Sequence, residues 1–307
     1  MVCYHGVSTC SRAGRHWLLL PRREFERQVR YLSSNYCLLP IDAALSALYE
    51  GKLTEPTASI TFDDGYRNNF EEAFPVLTDR QAPATIFLAT GFIGTARRLW
   101  TTELELLFEQ AGPVSVDLRS LGLGRVTLGD ADRVRPVALA VNRAAKRLSP
   151  ADRAATISGI RQQVGSAVAD SADSFAFMGW DDVRRMETSG LITFGAHTVN
   201  HEIVGRVDAE ARHREIQDSV ARVDTELSGD HRAGVSRVFA YPNGAVGDFS
   251  DACAEELRAA RCTAALTTVQ GLASSTHAPF EVRRVVVSGD MRFSEFCART
   301  SGLVGND

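Results

Sequence analysis

Long apolar runs are missing from this sequence. No stretch approaches the length of a membrane-spanning helix, and Met1 to Cys10 has neither the basic start nor the apolar centre of a signal peptide. The chain therefore reads as soluble and cytoplasmic. Charge imbalance is missing too: 34 Lys and Arg stand against 38 Asp and Glu, a net charge of -4 with the basic residues scattered. That argues against nucleic acid or an anionic membrane surface as partner and favours a neutral one. The six cysteines (Cys3, Cys10, Cys37, Cys253, Cys262, Cys297) include no C-x-x-C pair. In a chain this long they read as reduced, mostly buried thiols without a function of their own. Internal repeats and low-complexity tracts are also absent. What is present is ample core material: 44% of the 307 residues are hydrophobic, enough for one large α/β barrel or two smaller domains.

The chain is organised around Ser59-Ile60-Thr61-Phe62-Asp63-Asp64-Gly65-Tyr66. Alternating apolar residues end a buried strand, and two carboxylates followed by glycine place charge where strand turns to loop. Adjacent residues point in different directions, so one carboxylate can bind a cation while the other stays free to take a proton. Far downstream, Gly195-Ala196-His197-Thr198-Val199-Asn200-His201 carries two histidines four apart, able to close on one metal from a helix or a tight loop. Asp64, His197 and His201 would supply one oxygen and two nitrogens. That donor set suits Zn2+ or a similar divalent ion, Co2+ or Ni2+, with positions left for water and an acyl oxygen.

With these two motifs and Phe239-Ala240-Tyr241-Pro242-Asn243-Gly244 in the same order, the sequence resembles the polysaccharide deacetylases of the NodB-homology type, carbohydrate esterase family 4. Looser similarity runs from Tyr4-His5-Gly6-Val7 to Phe293-Ser294-Glu295-Phe296. The resemblance implies a distorted (β/α) barrel and a metal-dependent hydrolase that removes N-acetyl groups from an amino sugar in a glycan or glycan precursor. It assigns Asp63 as the base for water attacking the acyl carbonyl, Asp64 as a metal ligand, and the backbone N–H of Asn243 as an oxyanion donor. Tyr66, Tyr241 and Pro242 are the candidate sugar contacts, although Phe239 and Tyr241 also read as simple core residues. Two features depart from the family's commonest pattern. Thr263 to Gly271 lacks the late histidine, and the permuted relatives that take it from the N-terminal strand point to His5 as general acid, with His277 the fallback. Ala240 stands where many relatives carry an arginine that orients the base, and Arg284 on the last strand is the candidate replacement.

The chain in order supports an alternating α/β reading. Val2 to Val7 is expected as a first strand carrying His5, and Arg22 to Ser34 as a helix with Phe25, Val29 and Leu32 in one stripe. Asp42 is expected to cap a second helix ending near Gly51, and Pro75 to bend a helix over Asn69 to Arg80. Strands are expected at Ala84 to Ala89, Leu191 to Ala196, Arg237 to Tyr241, Thr263 to Thr267 and Val282 to Val287. Helices are expected at Asp181 to Thr188, Ala209 to Leu227 with mixed charge outside, Asp251 to Ala260 and Phe293 to Arg299. The pattern loosens over about 95–178, where Thr102 to Ala111 and Val137 to Ala169 look helical and Val114 to Leu118 and Arg125 to Leu128 look like short strands. This region reads as a largely helical insertion or lid in a single NodB-like domain spanning 1–307.

Other readings remain beside this one. The same site could run O-acetyl ester hydrolysis or deformylation, and the missing late histidine with Ala240 leaves room for a non-catalytic carbohydrate-binding protein. A spare Asp63 opposes the latter, since binding needs no base. A non-haem iron oxygenase fits the ligand types but not their arrangement: that class usually takes one histidine and the carboxylate from a close His-x-Asp/Glu pair on a β-sandwich, and this alternating α/β chain has no such pair in place. His16, His213 and His231 read as surface residues, and Trp100 and Trp180 as packing residues rather than sugar platforms.

Overall fold

The computed structural model describes residues 1–10, 13, 16–129, 131–165, 174–227 and 234–304. His231 and the end of the helical stretch at 166–169 lie outside the described residues. Two compact units are present: Met1–Ala96 with Phe177–Asp307, and Arg97–Ala176.

In the first unit, short apolar runs form seven parallel strands: Val2–Tyr4, Ile60–Phe62, Ala84–Leu88, Ile192–Ala196, Val238–Ala240, Ala264–Gln270 and Val282–Val286. Most of their residues are buried, as expected for a parallel sheet covered on its faces. Val2–Tyr4 lies in the middle, with Val2 opposite Ile60 on one side and Val285 on the other. Outward from it come Ile60–Phe62, Ala84–Leu88 and Ile192–Ala196 in one direction, and Val282–Val286, Ala264–Gln270 and Val238–Ala240 in the other. The two outermost strands approach each other, and Ser236 N donates to Phe194 O at 2.8 Å. The sheet is therefore a nearly closed, barrel-like array. Glycine is needed at this seam: a Cβ on Gly195 would sit 2.7 Å from both the Phe87 ring and the Val238 carbonyl oxygen.

Several local expectations are corrected by long-range contacts. The first strand breaks at His5, giving Val2–Tyr4 and a separate strand Gly6–Ser8 that pairs with Leu19–Pro21. Two side chains take over the backbone groups at the break: Asn69 Nδ2 donates to His5 O at 2.6 Å and Val7 N donates to Asn68 Oδ1 at 3.2 Å. Helix Arg22–Asn35 buries Phe25, Val29 and Leu32 as its spacing predicts. Helix Ile41–Tyr49, however, begins at Pro40 with no side-chain cap. Asp42 lies inside it and instead accepts from Ser236 Oγ at 2.6 Å and Arg237 N at 2.8 Å. The bend expected at Pro75 is a change of helix type, a π turn at Asn69–Ala73 followed by an α-helix at Phe74–Asp79. Proline then falls in a first turn, where a missing N–H costs little.

The second unit has its own hydrophobic core, which includes Leu104, Phe108, Val116, Val141 and Ile160. It consists of helix Trp100–Gln110, the antiparallel strands Ser115–Asp117 and Arg125–Thr127, and helices Ala131–Ala145 and Pro150–Val164. What reads as one helical stretch after Val137 is two helices. Ser149 separates them, its side chain capping the second by accepting from Asp152 N at 3.1 Å. Among the described residues no helix is long and apolar enough to cross a membrane, and none of the six cysteines forms a disulfide.

Candidate functional site

Three strand ends build the site. Ile60–Phe62 delivers Asp63 and Asp64, Ile192–Ala196 delivers His197 and the loop to His201, and Val238–Ala240 delivers Tyr241, Pro242 and Asn243. Parallel strands put their carboxyl ends on one side, so the topology brings these loops together. The turns are tight. Of the six described non-glycine residues with positive φ, four lie in these loops: Asp64 (75°), Thr198 (65°), His201 (56°) and Asn243 (62°). Such backbone is costly for a side-chain-bearing residue and tends to collect at functional sites. Gly65 follows at φ 89°, where a Cβ would also meet Leu88 Cδ2 at 2.8 Å.

Asp64, His197 and His201 form a buried triad. Asp64 Oδ1 lies 3.4 Å from His197 Nε2 and 3.2 Å from His201 Nε2. That oxygen is buried without a hydrogen-bond partner. An orphaned carboxylate oxygen facing two imidazole nitrogens is a costly arrangement in itself, and a divalent cation resolves it with a donor set that zinc prefers. The residues fit the metal. His197 Nδ1 lies 2.7 Å from Ala240 O; with its proton donated there, Nε2 keeps a lone pair for a cation. Burial pushes the Asp64 carboxyl pKa up, but the two imidazoles overcome this and hold it well below the usual range.

Asp63 points to a different set of partners. Arg284 Nη1 donates to its Oδ1 at 2.8 Å and Nη2 to its Oδ2 at 2.6 Å, a two-pronged pair with Arg284 fully buried. Arg284 is fixed in turn by Nε donating to Thr267 O at 2.8 Å. Burial works against the charged carboxylate, yet the guanidinium outweighs it and keeps the Asp63 pKa below its ordinary value. His5 is 8% exposed, and its Nδ1 lacks a hydrogen-bond partner. Ligand-type atoms of Cys3, His5 and Asp63 all lie within 4.8 Å of one another. Burial, the largest influence, lowers the His5 pKa despite the nearby Asp64 and Asp63 carboxylates.

Other expected positions fall elsewhere. Tyr66 is fully buried with its ring 5.2 Å from that of Phe177, and Tyr241 is 1% exposed, stacked at 5.0 Å on Phe249. Both rings are packed inside the barrel unit, and Pro242 is buried as well. Asn243 is held by its own carbonyl, which accepts from Thr268 Oγ1. His277 lies away from the triad, in the turn that leads to the start of Val282–Val286, where Ser274 N donates to its Nδ1 at 3.3 Å. His16 is buried rather than superficial, its Nδ1 accepting from Leu18 N at 3.2 Å, and His213 is exposed beside Glu256. Arginines cover Trp100 and Trp180, Arg153 the first and Arg222 the second.

Two residues at the site escape sequence reasoning. Cys3, fully buried, places Sγ 3.5 Å from Asp63 Oδ2. Glu215, on helix Ala209–Glu226, grips the histidine loop: its Oε2 accepts from Val199 N at 2.9 Å and Asn200 N at 2.7 Å, and its Oε1 from Asn200 Nδ2 at 2.8 Å. The helix is not charged only on its outer side, since Glu215 is buried beside Ile216, Ser219 and Val223. A charge lying on the apolar stripe of an amphipathic helix is the signal that could have identified it.

Comparison with known proteins agrees with this geometry. The sequence profile of the family described as polysaccharide deacetylase matches residues 50–121 and 137–264. YxkH of Bacillus subtilis (strain 168) is 33% identical over 107 residues, a match taking in 34% of this chain and 37% of that relative. The chain thus spans little more than a third of that curated relative's length. Among solved structures, the Streptococcus pyogenes deacetylase PplD in complex with acetate superposes with a TM-score of 0.62 at 17% identity, over 97% of this chain and 96% of that one. IcaB from Ammonifex degensii does so with a TM-score of 0.57 at 20% identity, over 98% and 94%. At these identities the structures establish a shared fold.

Proposed function

The chain belongs to the polysaccharide deacetylase family, and from that premise we propose that it is a metal-dependent hydrolase removing N-acetyl groups from an amino sugar in a glycan or glycan precursor. The observation that carries the reading is the separation of two neighbouring carboxylates into two environments. Asp64 faces two imidazoles with an orphaned oxygen, whereas Asp63 is held on Arg284.

Asp64, His197 and His201 would hold the divalent ion, most simply Zn2+ with Co2+ or Ni2+ as substitutes. When bound, such an ion polarises an acyl oxygen and makes water more acidic. Asp63, kept ionised by Arg284, takes the proton from the attacking water. Arg284 fixes the carboxylate's orientation and stays charged throughout, because a guanidinium does not titrate near neutrality. The backbone N–H of Asn243 is assigned to the developing oxyanion. His5 is assigned to the leaving amine, which departs poorly without a proton.

One observation favours a second reading. Burial lowers the His5 pKa, so the ring is mostly neutral near pH 7. Ester leaving groups need less protonation than amines, so O-acetyl ester hydrolysis on the same site is the alternative, with deformylation requiring the same acid as deacetylation.

The test pairs elemental analysis with acetate release from N-acetylglucosamine oligomers, for wild type and His201→Ala. Near-stoichiometric divalent metal with chelator-sensitive acetate release, both lost in the variant, is the expected result. A wild type that takes up no zinc, cobalt or nickel sinks the catalytic reading and leaves a carbohydrate-binding protein.

A further inference from the structure

Beside the Asp-His-His triad, a second buried cluster carries a different donor set. Cys3, His5 and Asp63 each bring one ligand-type atom within 4.8 Å of the other two: a sulfur, a nitrogen and an oxygen. Cys3 is fully buried, Asp63 is 1% exposed and His5 8%. Cys3 Sγ lies 3.5 Å from Asp63 Oδ2. Donors on one tetrahedral zinc stand roughly 3.3–3.6 Å apart, so that pair already has the separation a shared ion needs, and His5 has to draw in.

The backbone around the cluster is fixed. Cys3 and Tyr4 lie opposite Thr61 and Phe62 in the sheet, Asp63 N donates to Tyr4 O at 3.0 Å, and Asn69 Nδ2 holds His5 O at 2.6 Å. His5 Nδ1 is nonetheless buried without a hydrogen-bond partner, a cost that native folds rarely leave uncompensated. Arg284 limits what can enter. Its guanidinium already donates to both Asp63 oxygens, so a cation here meets a fixed positive charge. Coordination offsets that charge when the Cys3 proton leaves to solvent and the sulfur binds as thiolate. The cluster therefore selects thiophilic ions over Mg2+ or Ca2+. It also fills after the triad, where the carboxylate faces imidazoles rather than a guanidinium.

We propose that Cys3, His5 and Asp63 form a site for a second, thiophilic divalent cation, and that filling it shuts the enzyme off by taking up the residues assigned as base and acid together. The site stands on its own geometry, whereas its inhibitory effect rests on the deacetylase reading.

The experiment titrates Co2+ into the metal-free protein under a non-thiol reductant, for wild type, Cys3→Ser and Cys3→Ala. Equilibrium dialysis counts bound ions, and near-ultraviolet sulfur-to-cobalt charge-transfer absorption reports a sulfur ligand. Wild type should bind two ions, with the absorption growing on the second; both variants should bind one, without it. Acetate release from N-acetylglucosamine oligomers is taken relative to each protein's own rate with one equivalent of Zn2+. Excess Zn2+ should lower it at least about tenfold in wild type, as loss of an acid or base does, and little in the variants. No sulfur absorption at saturation, or the same absorption in the variants, overturns the site. Equal inhibition of wild type and variants overturns the inhibitory role. The two readings fail separately: one ion bound without sulfur absorption keeps the triad and overturns the second site, whereas one bound with it keeps the Cys3 site and overturns the triad. Should neither Cys3 variant fold, His5→Ala replaces them. It should need at least about tenfold more Co2+ to develop the absorption, and an unchanged titration overturns the proposal.

Discussion

Arg284 has no exposed surface and Asp63 is 1% exposed, so neither charge can turn to water for compensation. Replacing Arg284 with Met leaves a buried carboxylate unpaired, which costs on the order of 3–5 kcal/mol at pH 7. The sign of the pH dependence then reverses. In wild type the folded Asp63 pKa lies below the ordinary 3.8, so its contribution is present above about pH 4 and lost as pH falls through the folded value. In Arg284→Met, burial has only His197 and His5 to oppose it, and the folded pKa rises above the unfolded one. Stability is then fullest at low pH and is lost as pH rises through the raised value. The gap between the two proteins, measured by denaturant unfolding of the metal-free forms, should narrow between pH 7 and pH 4; a constant gap would rule out this account. His5 gives a second expectation at the same scale. His5→Ala should lower amide turnover by roughly a hundredfold or more, within the usual range for losing a general acid, and lower ester turnover much less. Equal losses on the two substrates would remove His5 from the acid role.

Glu215 shows what an element contributes beyond the residues at its end. Two backbone N–H groups and one side-chain amide of the histidine loop converge on a carboxylate that the helix supplies. Glu215→Ala frees that loop, and metal affinity should fall about 10- to 100-fold, the usual effect of losing a partner that orients ligands. Glu215→Gln should fare little better, because an amide NH2 in place of one oxygen would face donors. Competition with a chromogenic chelator reads the change, and unaltered affinity in both variants would reduce Glu215 to a packing role. The case also shows why only part of the site was legible in the sequence. Asp63, Asp64, His197 and His201 each follow a short apolar run, so strand periodicity and loop chemistry revealed them locally. Glu215, the break at His5 and the partners of Asp42 depend on contacts 15 to 195 residues away in the chain, which no local pattern encodes. Tyr66 and Tyr241 show burial that their motif positions do not announce. Both rings pack on partners distant in sequence or outside the motif, Tyr66 on Phe177 and Tyr241 on Phe249.

Across the barrel unit, the site spans the place where the sheet fails to close. Asp64 follows Ile60–Phe62 and the two histidines follow Ile192–Ala196, while the Ala240 carbonyl beside His197 Nδ1 belongs to Val238–Ala240 on the far side of the seam. Few ladder bonds hold that seam; Ser236 N to Phe194 O is one of them. A cation on the triad would fix His197, and through its Nδ1 would tie both outermost strands. Binding confined to the folded state also stabilises by mass action, about 2.7 kcal/mol at a free-ion concentration a hundredfold above Kd. Chelation should therefore lower Tm by several degrees. It should also raise amide exchange at Val238–Ala240 more than at Val2–Tyr4, which is paired on both sides. Exchange that rises equally in the two strands would mean that the metal stabilises the barrel as a whole without closing its seam. No change in Tm with chelator would mean that the triad holds no ion.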